Sequence, residues 1–324
     1  MSCVDLLQVS CVLEADQMLQ YMLRRLIILI PVLIGVSILV FAMRVVMPGD
    51  PVRIMLFGQA ATEEAVERLQ RYLGLDKPLH TQYFLYMRNL FRGDLGQSIR
   101  SRRPVTTEIF ERYPNTLKLT FSSLIIAVII GVSTGVISAI HKDSWMDLSS
   151  MLASLIGVSM PHFWLGLLLM WLFAVHLGWF PVMGSDSVRH LVLPALTLGL
   201  PTSAILARLV RSGMLDVLQL EYVRTARAKG LSERSVVYKH ALRNALIPTV
   251  TLVGLQFGYL LGGAFVIEIV FSFQGIGESY LSAVMGRDFP LIQGIILVYA
   301  VSVAVINLAV DCMYSLLNPQ IRFG

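Results

Sequence analysis

The sequence predicts an all-α polytopic membrane protein, and three observations carry that prediction. The 324 residues are 56% hydrophobic and only 15% charged, against roughly a quarter charged in an ordinary soluble domain, and the mean hydropathy is +0.70. The apolar residues gather into six charge-free stretches, each near the roughly 20 residues a helix needs to cross about 30 Å of hydrocarbon while satisfying its own backbone. Lys and Arg then collect in alternate short connections, which fixes an orientation.

The elements follow in chain order. Residues 1–21 form an extension of open status: MSCVDLLQVSCVLEADQ is weakly apolar and acidic, with no basic n-region and no A-x-A site, so it is not read as a secretory signal. A plainer start at Met22 opens MLRRLIILIPVLIG, and an upstream start and a short cytoplasmic extension both fit. The first span occupies 22–44, with Leu26 to Met43 uncharged between Arg25 and Arg44. Residues 45–112 are expected to form an extracytoplasmic helical cap. It contains a helical stretch at Thr62–Arg71 with acids early and bases late, a stop at GLDKPL (Gly74–Leu79), and an aromatic stretch at Gln82–Phe91. This cap is expected to pack against the outer ends of the spans and to meet an external partner.

The second span is Leu119–Ile140. After Asp147 the chain stays uncharged to Ser185, enough for one helix and an exit loop through Trp179, Phe180 and Pro181, with His162 at a helix break made by Pro161. Leu191–Ala207 ends at Arg208, Ala245–Ile267 lies between Arg243 and Glu268, and Leu291–Val310 lies between Asp288 and Asp311. With the N-terminus inside, the inner face holds Arg24, Arg25, Lys142, Arg322 and a basic loop from Arg208 to Arg243, and the short outer loops hold Arg189 and Arg287. The long Arg44–Lys118 loop is also basic, but long segments translocate largely regardless of charge. The chain is read as N-in and C-in, multi-pass in a bacterial-type inner membrane.

Several chemistries are set aside. No soluble basic face exists for nucleic acid. Cys3, Cys11 and Cys312 are too scattered for a disulfide framework or a zinc site, and the six histidines are dispersed, so no metal site is expected. There is no G-x-x-x-x-G-K-[ST] and no H-E-x-x-H. Gly131-Val132-Ser133-Thr134-Gly135 spells G-x-S-x-G, but a nucleophile elbow needs a strand before it. Mid-span, its small residues read as helix packing. No catalytic residue is expected.

The most informative stretch is the inner loop between the fourth and fifth spans. Glu221, Tyr222, Val223, Arg224, Thr225, Ala226, Arg227, Ala228 and Lys229 read as a short helix with an acidic start and a basic end, closed by Gly230 as a left-handed cap before Leu231. Ser232 is a credible N-cap for a second helix running through Val236 and Ala241 into the fifth span. The first helix is read as presenting a small-residue face (Val223, Ala226, Gly230) flanked by Arg224, Arg227 and Lys229. Such a helix suits a protein partner or anionic lipid. The lack of large apolar residues favours protein. In the fifth span, Gln256 and Tyr259 among Gly254, Gly258, Gly262 and Gly263 fit either packing or pathway lining, and Glu268 fits an outer gate or a structural ion pair.

At this loop the chain resembles a known family. EYVRTARAKG followed by KHALRNALIP looks like the EAA loop of binding-protein-dependent ABC importer permeases, in the spelling of the dipeptide, oligopeptide and nickel family. PGDP at 48–51, GLDKPL, GDLGQS at 93–98, NTLKLT from Asn115, VGLQFGYLLGG from Val253, IEIVF from Ile267, RDFP from Arg287 and NPQIR from Asn318 match in order. The PGDP and GDLG pair is similar to the B-type subunit of dipeptide and glutathione systems. Gln274 stands where the family has Pro, which is expected to loosen the outer turn, Gln320 stands where it has Arg, and residues 1–21 have no counterpart. The resemblance implies six transmembrane helices in the type I importer fold. The permease domain would span 113–317, with a coupling loop at 212–247 that docks an ATPase through Glu221–Leu231, and a tail at 318–324. It implies a homologous C-type permease, two cytoplasmic P-loop ATPases carrying ATP and Mg, an external solute-binding protein, membrane lipid and no nucleic acid as surroundings. No cofactor would be held by this chain. Peptides lead as cargo, with glutathione-like peptides and nickel chelates as alternatives. The rival class is an ATPase-independent secondary transporter, which would show mid-span ionisable residues and inverted repeats.

Overall fold

The computed structural model describes residues 25, 27–43, 63–73 and 76–317. The extension at 1–21, the PGDP motif, the start of GLDKPL and the tail at 318–324 lie outside the described residues. Among the described residues the regular structure is helical. The helices are α1 (Ile27–Met43), α2 (Glu63–Leu73), α3 (Leu79–Phe91), α4 (Val105–Ile140), α5 (Trp145–Ser159) and α6 (His162–Leu169, continued as a π-helix over Met170–His176). They continue as α7 (Val188–Leu218), α8 (Glu221–Ala228), α9 (Glu233–Ser235, running into a π-helix at Val236–Ala241), α10 (Leu242–Ala245), α11 (Ile247–Val270), α12 (Ile276–Met285) and α13 (Phe289–Leu317).

α4, α7, α11 and α13 are each long and apolar enough to cross a membrane, and α1 is a shorter apolar helix. The third apolar stretch corrects the single-helix expectation: α5 and the α6 segment meet at 109°. The cause is the Pro161 expected to break the chain there. Its ring drives Met160 to an extended backbone, φ −82° and ψ 133°. His162 then sits where the break places it, beside the Thr197 carbonyl, the group that Pro201, lacking an N–H, leaves without its helical donor. α7 carries the uncharged stretch Leu191–Ala207 and continues as a helix past Arg208 to Leu218.

The chain divides into two compact units, residues 1–114 with 278–305 and residues 115–277 with 306–324. In the first, α1 turns Ser37, Val40 and Phe41 inward. The Ser37 hydroxyl hydrogen-bonds the Tyr83 hydroxyl at 2.8 Å, and Gln293 donates to the Val40 carbonyl at 2.8 Å. The buried Asp288 carboxylate ties the loop before α4 to the start of α13. It accepts from the Ser98 hydroxyl and from the Ile99, Arg100 and Leu291 amides. α2 carries the i,i+4 pairs Glu64–Arg68 and Glu67–Arg71 along the charge order read from sequence.

In the second unit the core gathers Leu119, Leu193, Leu198, Leu260, Ala264, Ile267 and Phe271. The G-x-S-x-G spelling resolves as packing. A Cβ on Gly131 would lie 2.7 Å from the Leu206 Cβ, and one on Gly135 would lie 2.6 Å from the Ala207 carbonyl. α4 and α7 thus approach as closely as two backbones allow, and Ser133 between the two glycines is exposed.

Candidate functional site

α8 is an eight-residue helix standing between the end of α7 and the start of α9. Such a short helix is not stable alone, so its surroundings must hold it. Val223 and Ala226 are buried against Val236, with Val217 and Leu218 of α7 packed around them. The sequence reading is corrected here: this small-residue side faces the protein's own core rather than outward. Periodicity correctly grouped the residues on one face, and the neighbouring chain segments decide what that face meets. What α8 leaves exposed is Glu221, Tyr222, Arg224, Thr225, Arg227, Ala228 and Lys229, followed by Gly230 and Leu231.

The end of α8 is a Schellman cap. Gly230 takes φ +76°, its amide donates to the Arg227 carbonyl at 2.9 Å, and the Leu231 amide donates to the Ala226 carbonyl at 3.4 Å. The Ser232 hydroxyl then caps α9 by accepting from the Ser235 amide. The left-handed glycine and the serine cap read from sequence are both present. Arg227 clasps Glu233 across this elbow, Nε to Oε1 at 2.8 Å. The Asn244 amide donates to the Tyr222 hydroxyl at 2.7 Å, and that hydroxyl donates to the His240 carbonyl at 3.4 Å. α8 is therefore fastened to α7 by packing, and to the segment leading into α11 by packing, an ion pair and two hydrogen bonds.

Beneath it lies a second apolar cluster of Val136, Ala139, Val210, Met214, Val237, Ala241 and Ala245. Beside this cluster is an ion pair that the sequence reading missed. Arg211 on α7 grips Asp147 on α5 with both ends of its fork, Nε to Oδ1 at 2.6 Å and Nη2 to Oδ2 at 2.7 Å. The Ser138 hydroxyl and the Asp143 amide complete the carboxylate's shell. Sixty-four residues separate the two partners, so the one available signal was Asp147 standing alone at the head of a long uncharged run.

The three pathway candidates have different surroundings. Tyr259 is 61% exposed on α11, with its ring 6.2 Å from that of His162, and Gln256 is half-buried. Glu268 is fully buried. It accepts from the Gly277 amide at 2.7 Å, and its backbone carbonyl accepts from the Phe273 amide at 2.8 Å. Its carboxylate occupies the space that a Cβ on Gly275 would need. The Asn115 side chain donates to the Gln274 carbonyl, and the Ile276 amide donates to the Thr116 hydroxyl. The turn containing Gln274 is thus held from several sides, and Glu268 serves it as a clamp.

Residues 131–323 match the family described as binding-protein-dependent transport system inner membrane component, and residues 18–120 match its N-terminal membrane-component region. The chain is 48% identical over 306 residues to a glutathione transport system permease protein, GsiC, of Escherichia coli O6:H1, covering 94% of this chain and all of that protein. The corresponding protein of Salmonella paratyphi A is 46% identical over the same length. Among solved structures, the MetNI methionine ABC transporter in an inward-facing form aligns with a TM-score of 0.54 at 20% identity, over 65% of this chain and 96% of that one. An amino acid ABC transporter aligns with a TM-score of 0.51 at 16% identity, over 64% and 94%. These two alignments speak to the fold. Members of such systems work with an ATPase and a binding protein. The chain belongs to the binding-protein-dependent ABC importer permeases, as a non-catalytic, multi-pass inner-membrane subunit.

Proposed function

We propose that this subunit forms half of the translocation pathway of an ATP-driven peptide importer, and that the surface of α8 and its cap, Glu221–Leu231, docks a separate ATPase. The observation that carries the docking reading is the construction of α8. A helix too short to stand alone is held by α7 on one side and by the α9–α10 segment on the other, while Arg224, Thr225, Ala228 and Lys229 stay exposed. Exposed bases around a small residue allow close approach and orientation by charge.

Counting α1, α4, the bent α5–α6 pair, α7, α11 and α13 as crossings gives six, and the Lys and Arg distribution favours N-in and C-in. That topology puts α8 on the cytoplasmic side. A C-type permease, two P-loop ATPases that carry ATP and Mg, and an external binding protein complete the assembly. Gln256 and Tyr259 face the pathway. Peptides lead as cargo because the relatives reported above are named for glutathione transport, itself the transport of a tripeptide.

The test is Ala228→Trp, which adds bulk on the exposed side and touches no buried group. The variant is expected to insert and fold normally, to lose at least about tenfold in ATPase affinity, or ~1.4 kcal/mol, and to lose uptake. Normal ATPase co-purification and uptake would overturn the docking reading. Binding of the cognate solute-binding protein to a panel of peptides, glutathione and nickel chelates tests the cargo, and binding of nickel chelates alone would refute peptides.

A further inference from the structure

The α3 helix carries an exposed stripe that lies outside the proposed docking surface. His80, Phe84, Arg88 and Phe91 follow one another at spacings of four, four and three residues, which places them on one side of a helix. All four are exposed, Phe84 at 69% and Phe91 at 85%. Large aromatic side chains held in water are costly relative to burial. Among the described residues neither Arg88 nor the neighbouring Arg92 has an ion-pair partner. The opposite side of α3 is occupied: Tyr83 packs edge-on to Phe41 at 5.4 Å, Tyr86 lies 6.0 Å from Phe41, and Tyr83 bonds Ser37.

These contacts set the level of α3 along α1. The uncharged run of α1 ends at Met43, before Arg44. At 1.5 Å per residue, Phe41 lies roughly 3 Å and Ser37 roughly 9 Å inside that end. An interfacial helix buries its apolar side about 5–10 Å into the boundary between headgroups and acyl chains. α1 itself exposes Ile34, Ile38 and Leu39 over the same turns.

We propose that α3 lies in the membrane interface, with Phe84 and Phe91 inserted among acyl chains and Arg88 and Arg92 paired with lipid phosphates. The depth match with α1, whose own side chains are apolar and exposed at that level, and the two unpaired bases each fit lipid. A docked protein would be under no constraint to sit at that depth.

The test uses the assembled transporter with Cys3, Cys11 and Cys312 replaced by Ser, in nanodiscs of phosphatidylethanolamine and phosphatidylglycerol. An environment-sensitive fluorophore is attached in turn at Phe84→Cys, Phe91→Cys and Asn89→Cys, the last on a different side of α3. Positions 84 and 91 are expected to emit to the blue, to be quenched by nitroxide-labelled lipid, and to be at least about fivefold less accessible to iodide than position 89. Equal iodide quenching at all three positions would overturn the proposal. So would protection of 84 and 91 that appears only when the solute-binding protein is added. Alkylation of the unlabelled cysteines by a membrane-impermeant maleimide gives a second reading free of the probe's bulk. Slow reaction at 84 and 91 with fast reaction at 89 supports the proposal, and fast reaction at all three refutes it.

Discussion

Replacing Arg211 by Ala tests the ion pair beside the cluster under α8. The Asp147 side chain is 6% exposed and that of Arg211 21%. The substitution removes two of four donors and leaves Ser138 and the Asp143 amide to hold a buried carboxylate. Removing one member of a buried pair costs about 3–5 kcal/mol. Arg211 is partly wetted, which points to the lower end, about 3 kcal/mol. A change of 1 kcal/mol moves the midpoint by about 2–4 °C in chains of 150–250 residues and by less in longer ones, so a loss of about 5 °C is expected. The assay is detergent-solubilised unfolding followed by fluorescence-detected size exclusion, with wild type and variant heated at the same rate because such unfolding is irreversible. The double variant Asp147→Asn with Arg211→Gln replaces both charges with near-isosteric neutral groups and is expected to recover at least half of the loss. A shift under about 1 °C for Arg211→Ala, or a double variant no more stable than the single one, would refute the account.

Gly135→Val forces a side chain against the Ala207 carbonyl and Val210. It should cost about 1–3 kcal/mol of overpacking, read as reduced monodisperse yield, whereas Ser133→Ala in the same pentapeptide should change neither yield nor uptake. Gly275→Ala should destabilise by a similar amount because the Glu268 carboxylate fills the space. Glu268→Gln should be better tolerated, since the clamp needs an acceptor for the Gly277 amide and an amide oxygen supplies one. Thermal midpoints of the two variants decide, and the reverse order would contradict the clamp. Ala226→Glu buries a carboxylate beside Val236, so it should lower folded yield as well as uptake.

How much of this was legible in the sequence depended on whether the deciding interaction was local. The uncharged runs located the spans because the lack of water in hydrocarbon acts on each residue separately. Their ends were less legible. Arg208 marks where α7 can leave the hydrocarbon, but nothing stops the helix hydrogen-bonding onward to Leu218. The cap at Gly230 and Ser232 was readable because its geometry involves adjacent residues alone. The face of α8 was half readable: Val223 and Ala226 share a side by periodicity, but whether that side meets a partner or Val217, Leu218 and Val236 depends on packing between separate elements. Asp147 with Arg211, and Tyr222 with Asn244, were invisible for the same reason. The π-helical stretches at Met170–His176 and Val236–Ala241 had no sequence sign.

On the proposed docking reading, the attachment of α8 separates two roles that docking variants alone would confound, binding an ATPase and passing its movement on. α8 joins α7 through Leu220 and the packing of Val223 and Ala226 on Val217 and Leu218, and it joins the segment entering α11 through Tyr222 with Asn244, Arg227 with Glu233 and packing on Val236. A push on α8 is shared between these anchors according to their stiffness, so removing one redirects the push without altering the docking surface. Tyr222→Phe keeps the ring and its packing and deletes the hydroxyl that accepts from Asn244 at 2.7 Å. A partly exposed bond of this kind is worth about 0.5–1.5 kcal/mol, enough to loosen the link but not to unfold the site. ATPase co-purification should stay at the wild-type level while cargo moved per ATP hydrolysed in proteoliposomes falls severalfold. Asn244→Ala breaks that bond from the other side but leaves the Tyr222 hydroxyl its bond to the His240 carbonyl, so it should lower the ratio in the same direction and by no more, and the double variant should be no worse than Tyr222→Phe alone. Additive losses would mean that the two side chains act separately, and an unchanged ratio in Tyr222→Phe would mean that this anchor transmits nothing.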